Sequence, residues 1–125
     1  MVENRFLTLL DTSPLPVLRD GAMGTLLHSR GVSFENCFDA LNLSNPALVG
    51  EIHRAYIEAG AQVLQTNTFG ANRYKLAAHG MESHVAEINQ AGVDLARRVI
   101  YASFKDVLIA EGSVNHASRQ VHTRL

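Results

Sequence analysis

Apolar positions recur at two different spacings along this chain, and the alternation between them lays out its elements. Short stretches at residues 17–19, 61–66 and 107–110, with apolar hearts at Val17-Leu18, Val63-Leu64 and Val107 to Ala110, predict strands. Between them the spacing is helical. Leu48, Ile52, Tyr56 and Ala59 form one stripe, widened by Val49, on a helix that opens at Pro46. Ser44 or Asn45 can cap that helix, Pro46 suits its first turn, and Gly60 is placed to end it in a left-handed cap. His53 follows Ile52 and is expected at a boundary or in solvent. A helical region over 73–79 breaks at Gly80, and a second helix over 83–100 carries Val85, Ile88, Leu95 and Val99 in register. Gly92 fills one step of that register. Inside a helix it costs up to about 1 kcal/mol against alanine, so it predicts close packing on a sheet. Residues 1–16 read as an amphipathic N-terminal helical segment, punctuated by Pro14 and Pro16.

The order is strand, helix, strand, helices, strand, with strands starting near 17, 62 and 107. Repeats of that kind build an α/β fold on a parallel sheet with right-handed crossovers. In such folds the loops after the strand C-termini gather on one side and carry the ligand. Here those loops are "DGAMGT", "TNTFGAN" and "EGSVNH", all rich in small and polar residues.

The first loop holds Asp20, Gly21, Ala22, Met23, Gly24 and Thr25. Its exposed N–H groups and the Thr25 hydroxyl suit a carboxylate or phosphate. It reads equally well as a tight strand-to-helix turn with Gly21 at positive φ. It lacks the lysine of a P-loop and the G-x-G of a dinucleotide fingerprint. In the second loop Thr66, Asn67 and Thr68 could orient a polar substrate or satisfy local backbone groups. The histidines do not cluster, and no pair has metal-ligand spacing with a third partner. Cys37 has no basic neighbour in sequence to make it a thiolate and reads as a half-buried structural residue. Glu58 reads as solvated, and Asp39 has no role assigned by pattern.

Composition narrows the classes. A net charge of −1 with 18% charged residues leaves no basic stripe for a phosphate backbone, so no nucleic-acid partner is expected. No apolar run approaches the roughly 20 residues that span a bilayer, and the N-terminus lacks the pattern of a secretory signal. One cysteine excludes an intrachain disulfide, which fits a cytoplasmic location.

The stretches "DGAMGTLL" and "CFDALNLSNPALVGEIHRAYIEAGAQVLQTNTFGANRYKL", with the spacing between them, resemble the N-terminal part of homocysteine S-methyltransferase domains. The nearest look is to the bacterial type fused to a methylenetetrahydrofolate reductase. The resemblance covers about residues 17–110. It implies a zinc-dependent (β/α)8 TIM barrel in which zinc holds homocysteine as a thiolate that attacks an activated methyl group to give methionine. It also implies that residues 20–25 lie beside the amino-acid substrate and that Thr66, Asn67 and Thr68 line the same site. The family's zinc ligands are cysteines on later strands, and Cys37 belongs to an early "CF" motif, so zinc is not expected to bind this chain. Methylated folate, S-adenosylmethionine, S-methylmethionine and betaine all serve as methyl donors in the family, and the residues here do not choose among them; the fused reductase of the similar proteins points toward methylated folate.

A full barrel takes about 250 residues, so the expected fold is a partial barrel of about the first three βα units, over 17–110. Residues 111–125 depart from the family's "GSIG" and read as a divergent tail, through truncation, a frame change or a poorly ordered end. The expected function is that of a truncated domain, inactive alone, binding homocysteine weakly at best, and self-associated or paired with a complementing fragment. The alternatives are an inactive fragment and a small anion-binding α/β module built on the "DGAMGT" loop.

Overall fold

The computed structural model describes residues 4–111. The centre of the fold is a parallel pair, β1 (Val63–Gln65) and β2 (Leu108–Ala110), in register Val63 to Leu108, Leu64 to Ile109 and Gln65 to Ala110. The expected first strand is reduced to a bridge: Arg19 pairs parallel with Val63, and the Asp20 N–H donates to the Val63 carbonyl at 3.0 Å. Two features shorten it. Pro16 has no N–H to give, and the Leu18 N–H goes to the Gln62 side chain at 3.1 Å.

Helix α1 (Arg5–Thr12) is capped by Asn4 and buries no residue. Arg5 reaches the Asp106 carboxylate at 2.8 and 3.0 Å, just ahead of β2. Leu9 shares a crevice with Gln62 and Leu108, so α1 lies at the N-terminal end of the strands. The short helices α2 (Gly24–Ser29) and α3 (Leu41–Ser44) follow.

Helix α4 (Pro46–Glu58) is capped by Asn45 rather than Ser44, which instead ends α3. It stops as expected at Gly60, whose φ of +107° allows the paired bonds Ala61 N–H to Tyr56 O and Gly60 N–H to Ile57 O, both 3.0 Å. The buried face differs from the expected stripe. Val49, Ile52, His53 and Ile57 are buried, Leu48 and Tyr56 are half-buried, and Ala59 is exposed beyond the helix. The cause is that α4 is covered by α6, α3 and α2 as well as by β1, which widens and rotates the stripe. His53 is therefore wholly buried, not at a boundary.

Helix α5 (Arg73–Ala77) is capped by Asn72 and ends before the expected His79. A 3₁₀ turn (Glu82–His84) then leads into α6 (Val85–Ser103), which closes on Phe104 at φ +58°. Ile88, Leu95 and Val99 are buried as their spacing requires, and Val85 is half-buried. Leu27, Ile52, Leu64, Leu95 and Ile109 belong to the main core between the helices and the strands. A smaller cluster of Ala40, Ala71, Leu76 and Ile88 lies under the loops at the strand C-termini. The tail expected over 111–125 falls outside the described residues except for Glu111, which is half-buried.

Candidate functional site

The loops that follow Arg19 and β1 meet over a cleft of about 410 Å³. Asp20, Gly21, Met23 and Gly24 line it from one loop, and Thr66, Asn67 and Thr68 from the other. Ala22 and Thr25 do not line it. The Ala22 carbonyl accepts from the Tyr56 hydroxyl at 2.6 Å, and Thr25 is exposed on α2. Residues 112–116 of the third expected loop, with His116, lie outside the described residues, as does His122.

Asp20 is 8% exposed. Its Oδ2 accepts from the Gln65 N–H at 3.0 Å, while Oδ1 is buried with no donor among the described residues. Burial pushes the carboxyl up to about 6, against the opposing pull of the Gln65 N–H and Arg19. The connection from the Arg19 bridge to α2 is the short strand-to-helix turn expected, but Gly21 is not at positive φ within it. A Cβ there would sit 3.2 Å from the Tyr56 hydroxyl, so close approach by Tyr56 is what favours glycine.

The second loop is tied from below. Thr66 and Thr68 hydroxyls lie 2.7 Å apart, and the Thr68 N–H donates to the Thr66 carbonyl at 2.9 Å. Asn67 Nδ2 donates to the Phe38 carbonyl at 2.9 Å and to Asn42 Oδ1 at 3.0 Å. Gly92 brings α6 against this loop. A Cβ there would meet Thr68 Cγ2 at 2.7 Å and Asn42 Nδ2 at 2.9 Å. The glycine that sequence placed for sheet packing thus packs on the loop after β1.

Pattern alone missed the opposite wall. Phe34, Cys37, Phe38, Asp39, Lys75 and His79 also line the cleft. Asp39 Oδ2 accepts from the Gly70 N–H at 2.9 Å, and burial raises its carboxyl above the usual range while Gly70, Lys75 and His79 oppose the rise. Phe34 stacks on His28 with ring centroids 3.7 Å apart, and Lys75 Nζ lies 4.5 Å from the centre of the Phe69 ring. The only signal available for this wall was the run "CFDAL", whose residues have no periodicity of their own. Cys37 is half-buried, and Glu58 is exposed.

The chemistry on offer is recognition of a small polar molecule: a buried carboxylate with a spare oxygen, hydroxyls, and aromatic rings at the rim. Among the described residues no three His, Cys, Asp or Glu side chains gather as a metal set, and no helix is long and apolar enough to cross a membrane.

The similarities of the chain agree with this layout. Residues 17–121 match the sequence profile of homocysteine S-methyltransferase. The chain is 38% identical over 103 residues to methionine synthase of Mycobacterium tuberculosis, covering 73% of this chain and 9% of that protein. Against methionine synthase of Mycobacterium leprae it is 38% identical over 86 residues, covering 64% of this chain and 7% of that protein. The structure superposes on the homocysteine methyltransferase MmuM of Escherichia coli in its metallated form. That match has a TM-score of 0.78 and 30% identity over 93% of this chain and 43% of that one. The oxidized form of MmuM gives a TM-score of 0.76 at 31% identity, over 88% of this chain and 41% of that one. The chain therefore spans less than half the length of these relatives. With the profile covering most of its residues, a fold shared with MmuM and a polar cleft at the strand C-termini, the chain belongs to the homocysteine S-methyltransferase family.

Proposed function

We propose that the cleft binds the amino-acid end of homocysteine, and that the chain is the first part of a (β/α)8 barrel. The observation that carries the reading is Asp20: a residue on the wall of a cleft of amino-acid size whose Oδ1 is buried without a donor among the described residues. An unpaired buried acceptor is costly, and a ligand ammonium would supply the missing charge-assisted bond. Gly21, Met23 and Gly24 continue that wall, Thr66, Asn67 and Thr68 form the facing one, and Ala22 ties the first loop to Tyr56 through its carbonyl.

The partial-barrel reading is supported by the flank of the sheet. Among the described residues β2 pairs with β1 on one side only, and beside it an apolar groove of about 630 Å³ runs along Ile100, Tyr101, Phe104, Val107 and Ile109. The remaining βα units of the barrel would close over this flank, from whichever polypeptide supplies them. The family's zinc chemistry does not fit the residues described, because Cys37 is the sole cysteine of the sequence and no metal set forms around it. No methyl-transfer step is assigned to this chain, and its role is substrate binding.

Titration of the purified chain with L-homocysteine, followed by amide chemical shifts, tests the reading. Shifts should centre on Asp20, Gly21 and Thr66–Thr68 neighbours. Asp20→Asn should weaken binding by about tenfold or more, the cost of losing a charged partner. Stabilisation by inorganic phosphate with no response to homocysteine would overturn it in favour of an anion-binding module.

A further inference from the structure

We propose that Asn42 is a positioning residue of the cleft: it locks the loop after β1 against both α6 and the wall formed by residues 34–39. Asn42 is 3% exposed, on the short helix α3, and is not among the residues that line the cleft. Both polar atoms of its side chain close onto residue 67. Nδ2 donates to the Asn67 carbonyl at 2.7 Å, and Oδ1 accepts from Asn67 Nδ2 at 3.0 Å. The same Nδ2 donates to the Ile88 carbonyl of α6 at 3.2 Å.

This arrangement has two consequences. The Asn67 amide is held so that its other bond runs to the Phe38 carbonyl, which ties the two walls of the cleft together at a fixed separation. The Thr66–Thr68 turn is pressed from beneath by α6, because Gly92 leaves room for Thr68 and Asn42 and for nothing more. Asparagine suits the position for a physical reason. An amide offers donor and acceptor in one plane at short reach, matching a backbone carbonyl and a side-chain amide of the same residue. Aspartate would lose the donors and bury a charge, and glutamine would add a methylene where the packing at Gly92 is already tight. A buried network of this kind fixes one geometry as long as every member is satisfied.

The inference rests on the homocysteine reading only for what the cleft holds; the locking itself is read out without ligand. Native-state hydrogen exchange on the whole chain separates positioning from general stability. In Asn42→Ala, the amides of Thr68, Gly70 and Ala71, which bond to Thr66, Asp39 and Thr68 within the loop and its facing wall, should exchange about tenfold faster or more, because the loop that carries those bonds loses its anchor at Asn67. Those of Ala61 and Leu108, in the helix cap and the sheet, should keep their rates. A uniform acceleration, or no change at Thr68, Gly70 and Ala71, would overturn the proposal. Should Asn42→Ala fail to fold, Asn67→Ser removes the side-chain half of the link together with the bond to Phe38, keeps the backbone carbonyl that Asn42 bonds, and should show the same local pattern in weaker form. Where the parent chain binds homocysteine, either variant should weaken it in step with the local opening. A parent chain that binds none counts against the functional reading and leaves the exchange result to decide this one.

Discussion

The two ends of α6 sit in opposite surroundings. At its N-terminal half Ile88 is fully buried, Gly92 touches the loop after β1, and the Ile88 carbonyl is bonded to Asn42. At its C-terminal end Tyr101 and Phe104 are 85% and 95% exposed, and an apolar groove opens beside β2. One half is built around hydrogen-bonded polar residues and tolerates almost no change in volume. The other buries Leu95, Ala96 and Val99 on its inner face and leaves its large apolar rings open at the end. The lesson is that polarity tracks neither burial nor importance here: the buried end is the polar one, because it must fix the geometry of a cleft.

Substitutions can break this contrast. The largest effect should come from the closed end. Ile88→Ala empties a fully buried site and should cost about 2–5 kcal/mol by urea denaturation, whereas Tyr101→Ser should stay within about 0.5 kcal/mol. Equal losses at the two positions would mean that the open end is covered in solution.

Acid probes the buried polar residues next. His53 is wholly buried with neither ring nitrogen partnered among the described residues, and burial lowers it to about 4. Its folded form stays neutral while the unfolded form titrates near 6.5, so its contribution is intact above that pH and is lost as pH falls toward 4. At about 1.4 kcal/mol per pH unit the loss is about 3 kcal/mol. Asp20 has the opposite sign. Raised to about 6, it burdens the fold above that pH and is relieved as pH falls toward 3.8, and Asp39 leans the same way. The parent chain should therefore show a shallow stability profile from pH 6.5 to 4. Asp20→Asn should steepen the acid loss, and His53→Leu should reverse the slope. Identical slopes in all three proteins would refute this account.

Gly92→Ala adds a methyl where the nearest atoms stand at 2.7 and 2.9 Å, and should cost about 1–3 kcal/mol although alanine is the better helix former. Tyr56→Phe removes the 2.6 Å bond to the Ala22 carbonyl and should cost about 1 kcal/mol, with its shift changes confined to residues 20–25. The smallest effect has the reverse sign. Phe104 holds a left-handed conformation that costs a bulky residue about 1 kcal/mol, so Phe104→Gly should raise the melting temperature slightly. A fall would show that the exposed ring is packed against something in solution.

Much of the frame was legible in the chain. The spacing of Ile88, Leu95 and Val99, the Pro46 start and Gly60 stop of α4, and the apolar runs of β1 and β2 are local signals, set by periodicity and backbone preference. So was the convergence of Asp20, Gly21, Met23 and Gly24 with Thr66, Asn67 and Thr68, which follows from the side of a parallel sheet on which loops must emerge. The tertiary structure decided the rest. It reduced residues 17–19 to a bridge, because the Leu18 N–H found a side-chain acceptor instead of a neighbouring strand. It buried His53, because α4 is covered on more sides than a single stripe implies. It turned Gly92 and Asn42 toward a loop far from them in sequence. Periodicity reports which face of an element is apolar; which polar groups meet across the fold depends on distances that exist only once the elements have packed.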